Sequence, residues 1–140
     1  MKVVAYIDGS SKGNPGKAGY GIVIKDEDDR TIYSAGEYIG EATNNVAEYR
    51  GLMGCLELVR SFGISSLVVY SDSKLLVNQM NGSYRITKPH LKALHEKIKK
   101  TLDSMMIDFE INYIPREENS MADSLAKRSV RLQKRIEEEK

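Results

Sequence analysis

Cysteine is almost absent from this chain: Cys55 is the only one in 140 residues, so no intrachain disulfide and no cysteine-rich zinc site can hold the fold. Val46, Leu52, Met53, Leu56 and Val59 surround it at helical spacing, which predicts a thiol packed inside as a small hydrophobe. Long apolar runs are missing too, and none approaches the ~20 residues of a membrane-spanning helix. The apolar start over residues 1–7 is stopped by Asp8 before the core of a secretory signal could form. It is expected to be a first strand, and the protein cytoplasmic with no membrane partner. Nor does charge of one sign dominate: 21 Lys and Arg against 20 Asp and Glu leave a net charge of +1. This excludes a broad electrostatic footprint for nucleic acid, so any such binding has to come from a local patch.

What is present suits a soluble globular protein, with 41% hydrophobic and 29% charged residues. The length fits one domain over residues 1–140, with a core from about 2 to 130 and a charged helical tail over 131–140. No internal repeat or linker interrupts it. Val3-Val4-Ala5-Tyr6-Ile7 reads as a strand closed by Asp8-Gly9-Ser10, and Gly13-Asn14-Pro15-Gly16 as a loop. Residues 20–25 and 31–38 read as two further strands joined by a polar hairpin tip. The apolar period then changes to three and four over residues 43–62, predicting a long amphipathic helix ended by Gly63. A continuously apolar strand over 66–71 precedes a short helix over 75–80 that Asp72 or Ser73 can cap. Pro89 fits the first turn of a helix with a lysine-rich face, residues 107–113 alternate as a half-buried strand, and a last helix runs from Ser120 to about Lys134. This order predicts an α/β fold, a mixed five-stranded sheet flanked by helices on both faces.

Four acids, Asp8, Glu48, Asp72 and Asp123, each sit where an apolar run stops or a helix begins. Singly, each has a local explanation: Asp8 as a turn residue, Asp72 as a helix cap, Glu48 and Asp123 as first-turn acids favoured by the helix dipole. Gathered at one sheet edge they would repel one another, so their convergence requires positive charge between them. Hard carboxylate oxygens suit a pair of magnesium ions, with manganese as the alternative.

The ordered pieces Asp8-Gly9-Ser10 with Gly13-Asn14-Pro15-Gly16, Thr43-Asn44-Asn45-Val46-Ala47-Glu48, Ser71-Asp72-Ser73 and the stretch from Pro115 to Ala126 containing Asn119 and Asp123 closely resemble type 1 ribonuclease H. The resemblance spans residue 6 to about 128 and is nearest to the compact archaeal and minimal bacterial branch. It implies a sheet led by three antiparallel strands, with the strand ending in Asp72 parallel to and beside the strand of Asp8. It also implies a two-metal endonuclease that cuts the RNA strand of RNA–DNA hybrids, leaving a 5′-phosphate and a 3′-hydroxyl. Asp8, Glu48, Asp72 and Asp123 become the metal ligands. Gly9, Ser10, Asn14, Asn44, Asn45 and Lys74 become substrate contacts, and Thr43 a holder of a DNA-strand phosphate. Alternatives are an enzyme of the same fold that also cuts double-stranded RNA, which shares the A-like shape and 2′-hydroxyls, and a binding module that does not cleave. A monomer is expected.

The chain departs from the family pattern in the loop before Asp123. Many relatives carry a mobile histidine there, whereas residues 113–123 contain none. Arg116 is the stand-in, able to hold a phosphate but not to shuttle protons, because it stays charged. His90 and His95 lie far along the chain from the acidic motifs, and residues 81–89 are too short for the basic helical protrusion of some bacterial members. Tyr84, Arg85, Lys88 and Lys92 are the expected substitutes on the DNA side.

Overall fold

Segments with strand alternation pair as strands, and segments of helical period pack onto them, in the computed structural model, which describes residues 1–139. β1 (Lys2–Gly13) turns back antiparallel into β2 (Gly16–Lys25), and β2 into β3 (Thr31–Ala42). α1 (Asn44–Val59) continues into a 3-10 turn, Arg60–Phe62, ended by Gly63 at φ 63°. Then come β4 (Ser66–Ser71), α2 (Lys74–Met80), α3 (Pro89–Met105), β5 (Asp108–Tyr113), α4 (Ser120–Leu132) and β6 (Ile136–Glu139). No helix among the described residues is long and apolar enough to cross a membrane.

The sheet order is β5-β4-β1-β2-β3-β6, with β1, β4 and β5 mutually parallel and the other pairs antiparallel. Alternation along the strands makes two faces. Val3, Ala5, Ile7, Ile22, Ile24, Leu67 and Val69 pack with α1, α2 and α3 in the main core, which also holds Cys55. On the other face Val23 packs with Ala122 and Leu125 of α4. α4 rides close to the sheet because β2 offers Gly21: a Cβ there would fall on the backbone of Ala122 and 2.9 Å from Ala126 N.

Several expectations need correction. Among the described residues the sheet has six strands, not five, and the tail is not a helix: α4 stops at Leu132, Gln133 takes a left-handed φ of 51°, and Ile136–Glu139 pairs with β3. Tertiary contacts drive this. Ile136 packs beside Val23 and Leu125, Tyr33 donates to Glu137, and Arg135 pairs with Glu37 at 2.7 Å. Lys140, the end of the expected tail, lies outside the described residues. A further correction concerns β1, which does not stop at Asp8 but runs on through Gly9 and Ser10 to Gly13, held by pairing with β2.

Candidate functional site

Parallel pairing sets the first two acids. Ile7 of β1 is level with Ser71, the last residue of β4, so Asp8 and Asp72 follow side by side. The next residue, Gly9, faces α1. A Cβ on it would lie 2.5 Å from Glu48 N and 2.7 Å from Ala47 C, so only glycine lets α1 settle this close. Thr43 starts that helix, its Oγ1 accepting from Val46 N at 3.2 Å. The Glu48 carboxylate accepts the Gly9 N–H. Ligand oxygens of Asp8, Glu48 and Asp72 all lie within 4.8 Å of one another. Asp123 approaches from the other side of the sheet in the first turn of α4; it lines the same cavity as Asp8 and is paired with Lys127 at 3.0 Å.

Crowding perturbs these acids as like charges should. Burial, then the charges of Glu48 and Asp72, push Asp8 up to about 10. Burial and the Asp72 charge push Glu48 up to about 8, against the pull of the Gly9 N–H. Burial also raises Asp123, but the proton held on neighbouring Asp8 and the charge of Lys127 outweigh that and leave it below the ordinary carboxylate range. The cluster therefore retains protons where isolated acids would not. Three converging hard oxygen donors that resist joint ionisation fit divalent cations, which relieve the repulsion that holds the protons.

A pH dependence follows for the metal-free protein. Glu48 and Asp8 bind protons more tightly folded than unfolded, so their contribution is fully present below the ordinary carboxylate range. It is lost as pH rises through about 8 for Glu48 and about 10 for Asp8. Chelator-treated protein should melt at progressively lower temperature from about pH 5 to about pH 9, and a saturating divalent cation should flatten that slope. A metal-free melting temperature that climbs over the same range would contradict the assignment.

The acids open into a cavity of about 630 Å³ that also reaches Ser10, Asn44, Ser73, Tyr113, Arg116 and Arg131. Of the residues expected to touch a substrate, Gly9, Ser10 and Asn44 line it. Asn14 stands behind Asn44, its Oδ1 accepting Asn44 N–H at 3.0 Å, and so ties the β1–β2 turn to the start of α1. Asn45 is exposed in the first turn of α1. Lys74 does not line the cavity; its Nζ lies 5.4 Å from the centre of the Tyr113 ring. Arg116 begins the 3-10 turn Arg116–Glu118 at the cavity wall, and its charge helps lower Asp123. Three neighbours escaped the sequence reading. Lys127 was findable as the i+4 partner of Asp123 on a helix. Tyr113 was findable as an exposed aromatic at a strand end. Asn119 is joined to Asp72 by a hydrogen bond of 3.2 Å.

A family profile described as "Reverse transcriptase-like" matches residues 6–129. The bifunctional protein Rv2228c of Mycobacterium tuberculosis is 42% identical over 127 residues, covering 90% of this chain and 35% of that protein. Ribonuclease HI of Halobacterium salinarum is 36% identical over 129 residues, covering 92% of this chain and 64% of that protein. This chain thus spans about a third to two thirds of the length of these relatives. Among solved structures, LC11-RNase H1, isolated from compost and crystallised with an RNA/DNA hybrid, superposes with a TM-score of 0.91 at 39% identity, covering 94% of this chain and 99% of that one.

Proposed function

We propose that this chain, which belongs to the type 1 ribonuclease H family, is an endonuclease that hydrolyses the RNA strand of RNA–DNA hybrids, leaving a 5′-phosphate and a 3′-hydroxyl. The observation that carries the reading is the meeting of Asp8, Glu48 and Asp72 within 4.8 Å at the floor of an open cavity, on a fold shared with a hybrid-bound relative at 39% identity. Asp8, Glu48, Asp72 and Asp123 would hold two magnesium ions, with manganese able to replace them. Such a pair neutralises charge on a phosphodiester and acidifies water.

The rest of the work belongs to the chain's own groups. Arg116 presents a fixed positive charge to a phosphate oxygen at the cavity wall and leaves the proton transfers to other groups. Thr43 Oγ1 accepts from Val46 N–H, and its O–H remains to donate to a phosphate of the DNA strand. The Asn14 carbonyl accepts from Asn44 N–H, which orients the side chain and leaves both donors of its amide NH2 for groove acceptors. With Asn44 and Asn45 it reads the shallow groove, where 2′-hydroxyls mark the RNA strand and base identity carries little weight. Gly9 and Ser10 bring backbone close to that strand, and Lys74 adds a charge at its edge.

The test is a gel assay with one labelled strand, run on hybrid, double-stranded RNA and double-stranded DNA, with magnesium, with manganese and with chelator. The expected result is cleavage within the RNA strand of the hybrid, dependent on a divalent cation. Cleavage of the DNA strand, or an intact hybrid with both ions, overturns the proposal. Cleavage of double-stranded RNA as well would widen the substrate class to A-like duplexes.

A further inference from the structure

Asn119 occupies the N-cap position of α4, where asparagine is favoured because its side-chain oxygen accepts from the free N–H groups of the first turn. It makes no such bond. Its side chain points into the sheet instead, with Nδ2 donating to Ile7 O at 2.8 Å and to Asp72 Oδ2 at 3.2 Å. Both partners are acceptors, which fixes the NH2 as the group that faces them. The residue is 2% exposed, and its Oδ1 is buried without a hydrogen-bond partner among the described residues. Forgoing the cap and burying an unsatisfied acceptor both cost stability. Stability is therefore a poor reason for the side chain to adopt this pose, and the two bonds it does make are a better one.

Those bonds reach the two strands that carry the central acids. Ile7 directly precedes Asp8, so one NH2 group spans the backbone of β1 and the carboxylate that follows β4. We infer that Asn119 is a positioning residue that sets the spacing between Asp8 and Asp72 and orients the Asp72 carboxylate by engaging Oδ2, so that the carboxylate would be held ready for a cation. The inference rests on the reading of these acids as a divalent-cation site. Partners one step behind a ligand typically govern cation affinity by about 10- to 100-fold, through orientation rather than contact. Asn119 does not line the substrate cavity, so its loss should act on the cation and on turnover, leaving hybrid binding unchanged.

The test pairs Asn119→Ser, which can cap α4, with Asn119→Ala, which cannot. Each is titrated with manganese and with magnesium while the melting temperature is followed. The expected result is a cation midpoint raised at least about tenfold in both variants, with the serine variant melting at or above the native temperature before metal is added. Steady-state cleavage should show kcat reduced with the KM for hybrid unchanged. If one variant fails to fold, the other decides. Midpoints within about twofold of the native chain, or a lowered metal-free melting temperature as the sole effect, would reduce Asn119 to a structural role and overturn the inference. The titration requires no cleavage. A native chain that binds cations but leaves hybrid intact sinks the functional reading alone, whereas one with no cation-dependent shift sinks the metal site and this role together.

Discussion

Replacing Asp8 by asparagine should cut hybrid cleavage by at least about a thousandfold while leaving the metal-free protein folded and no less stable at neutral pH. The loss follows from what bound cations contribute: charge stabilisation of several kcal/mol, at about 1.4 kcal/mol per factor of ten in rate. The retained stability follows from the site. Burial and the charges of Glu48 and Asp72 already keep a proton on Asp8 up to about 10, so asparagine resembles the form the folded protein holds without metal. Asp72→Asn should lose activity to the same degree, since it removes one of three donors that converge within 4.8 Å. The measurements are single-turnover cleavage with excess enzyme and a thermal melt with and without chelator. Substantial magnesium-dependent cleavage by either variant would count heavily against the assignment.

Gly9→Ala should damage fold and site together. The added Cβ would press on Glu48 N at 2.5 Å and Ala47 C at 2.7 Å, backbone atoms of a helix that cannot yield as a side-chain tip can. α1 must lift from β1, at a cost of about 2–3 kcal/mol, which for a chain of this size lowers the melting temperature by roughly 6–12 °C. The same shift draws the Glu48 carboxylate from the Gly9 N–H and out of line with Asp8, so cation affinity should fall in the molecules that remain folded. Gly82→Ala is the control. Gly82 sits at φ 79°, and no atom beyond its chain neighbours lies within 4 Å of the point where an added methyl would stand. Its substitution therefore costs backbone strain of about 1 kcal/mol without touching the site. Equal melting temperatures for the two variants would refute the close-approach argument at Gly9.

The contrast between these glycines shows what the sequence could and could not disclose. Local signals identified α1, whose apolar spacing and terminal Gly63 survive in the structure, and the strand that ends at Ser71, although only alternate residues of it are fully buried. They failed at Asp8-Gly9-Ser10, because turn-forming residues there are held in extended form by pairing with β2 and by the approach of α1. The tail failed for a related reason. Glu137 and Glu138 have little intrinsic strand preference, and β6 exists because Ile136 finds Val23 and Leu125 while Arg135 finds Glu37. The acids were legible as residues. Their convergence was not, since it depends on the parallel register of β1 and β4, which the family resemblance supplied and periodicity did not. Asn119 stands at the N-cap position of α4, and only the position of Ile7 O, 112 residues away in sequence, reveals what its side chain engages.

β6 also covers one edge of the sheet. Without it, the twelve residues of β3 would present an open row of backbone donors and acceptors, the kind of border that recruits strands from neighbouring chains. The short β6 covers part of that row; Tyr33 and Arg135 hold its Glu137 carboxylate, and Glu138 adds an exposed charge of the kind that discourages pairing at an open edge. A segment that reads as a frayed acidic end thereby acts as a hem at the margin farthest along the sheet from β5.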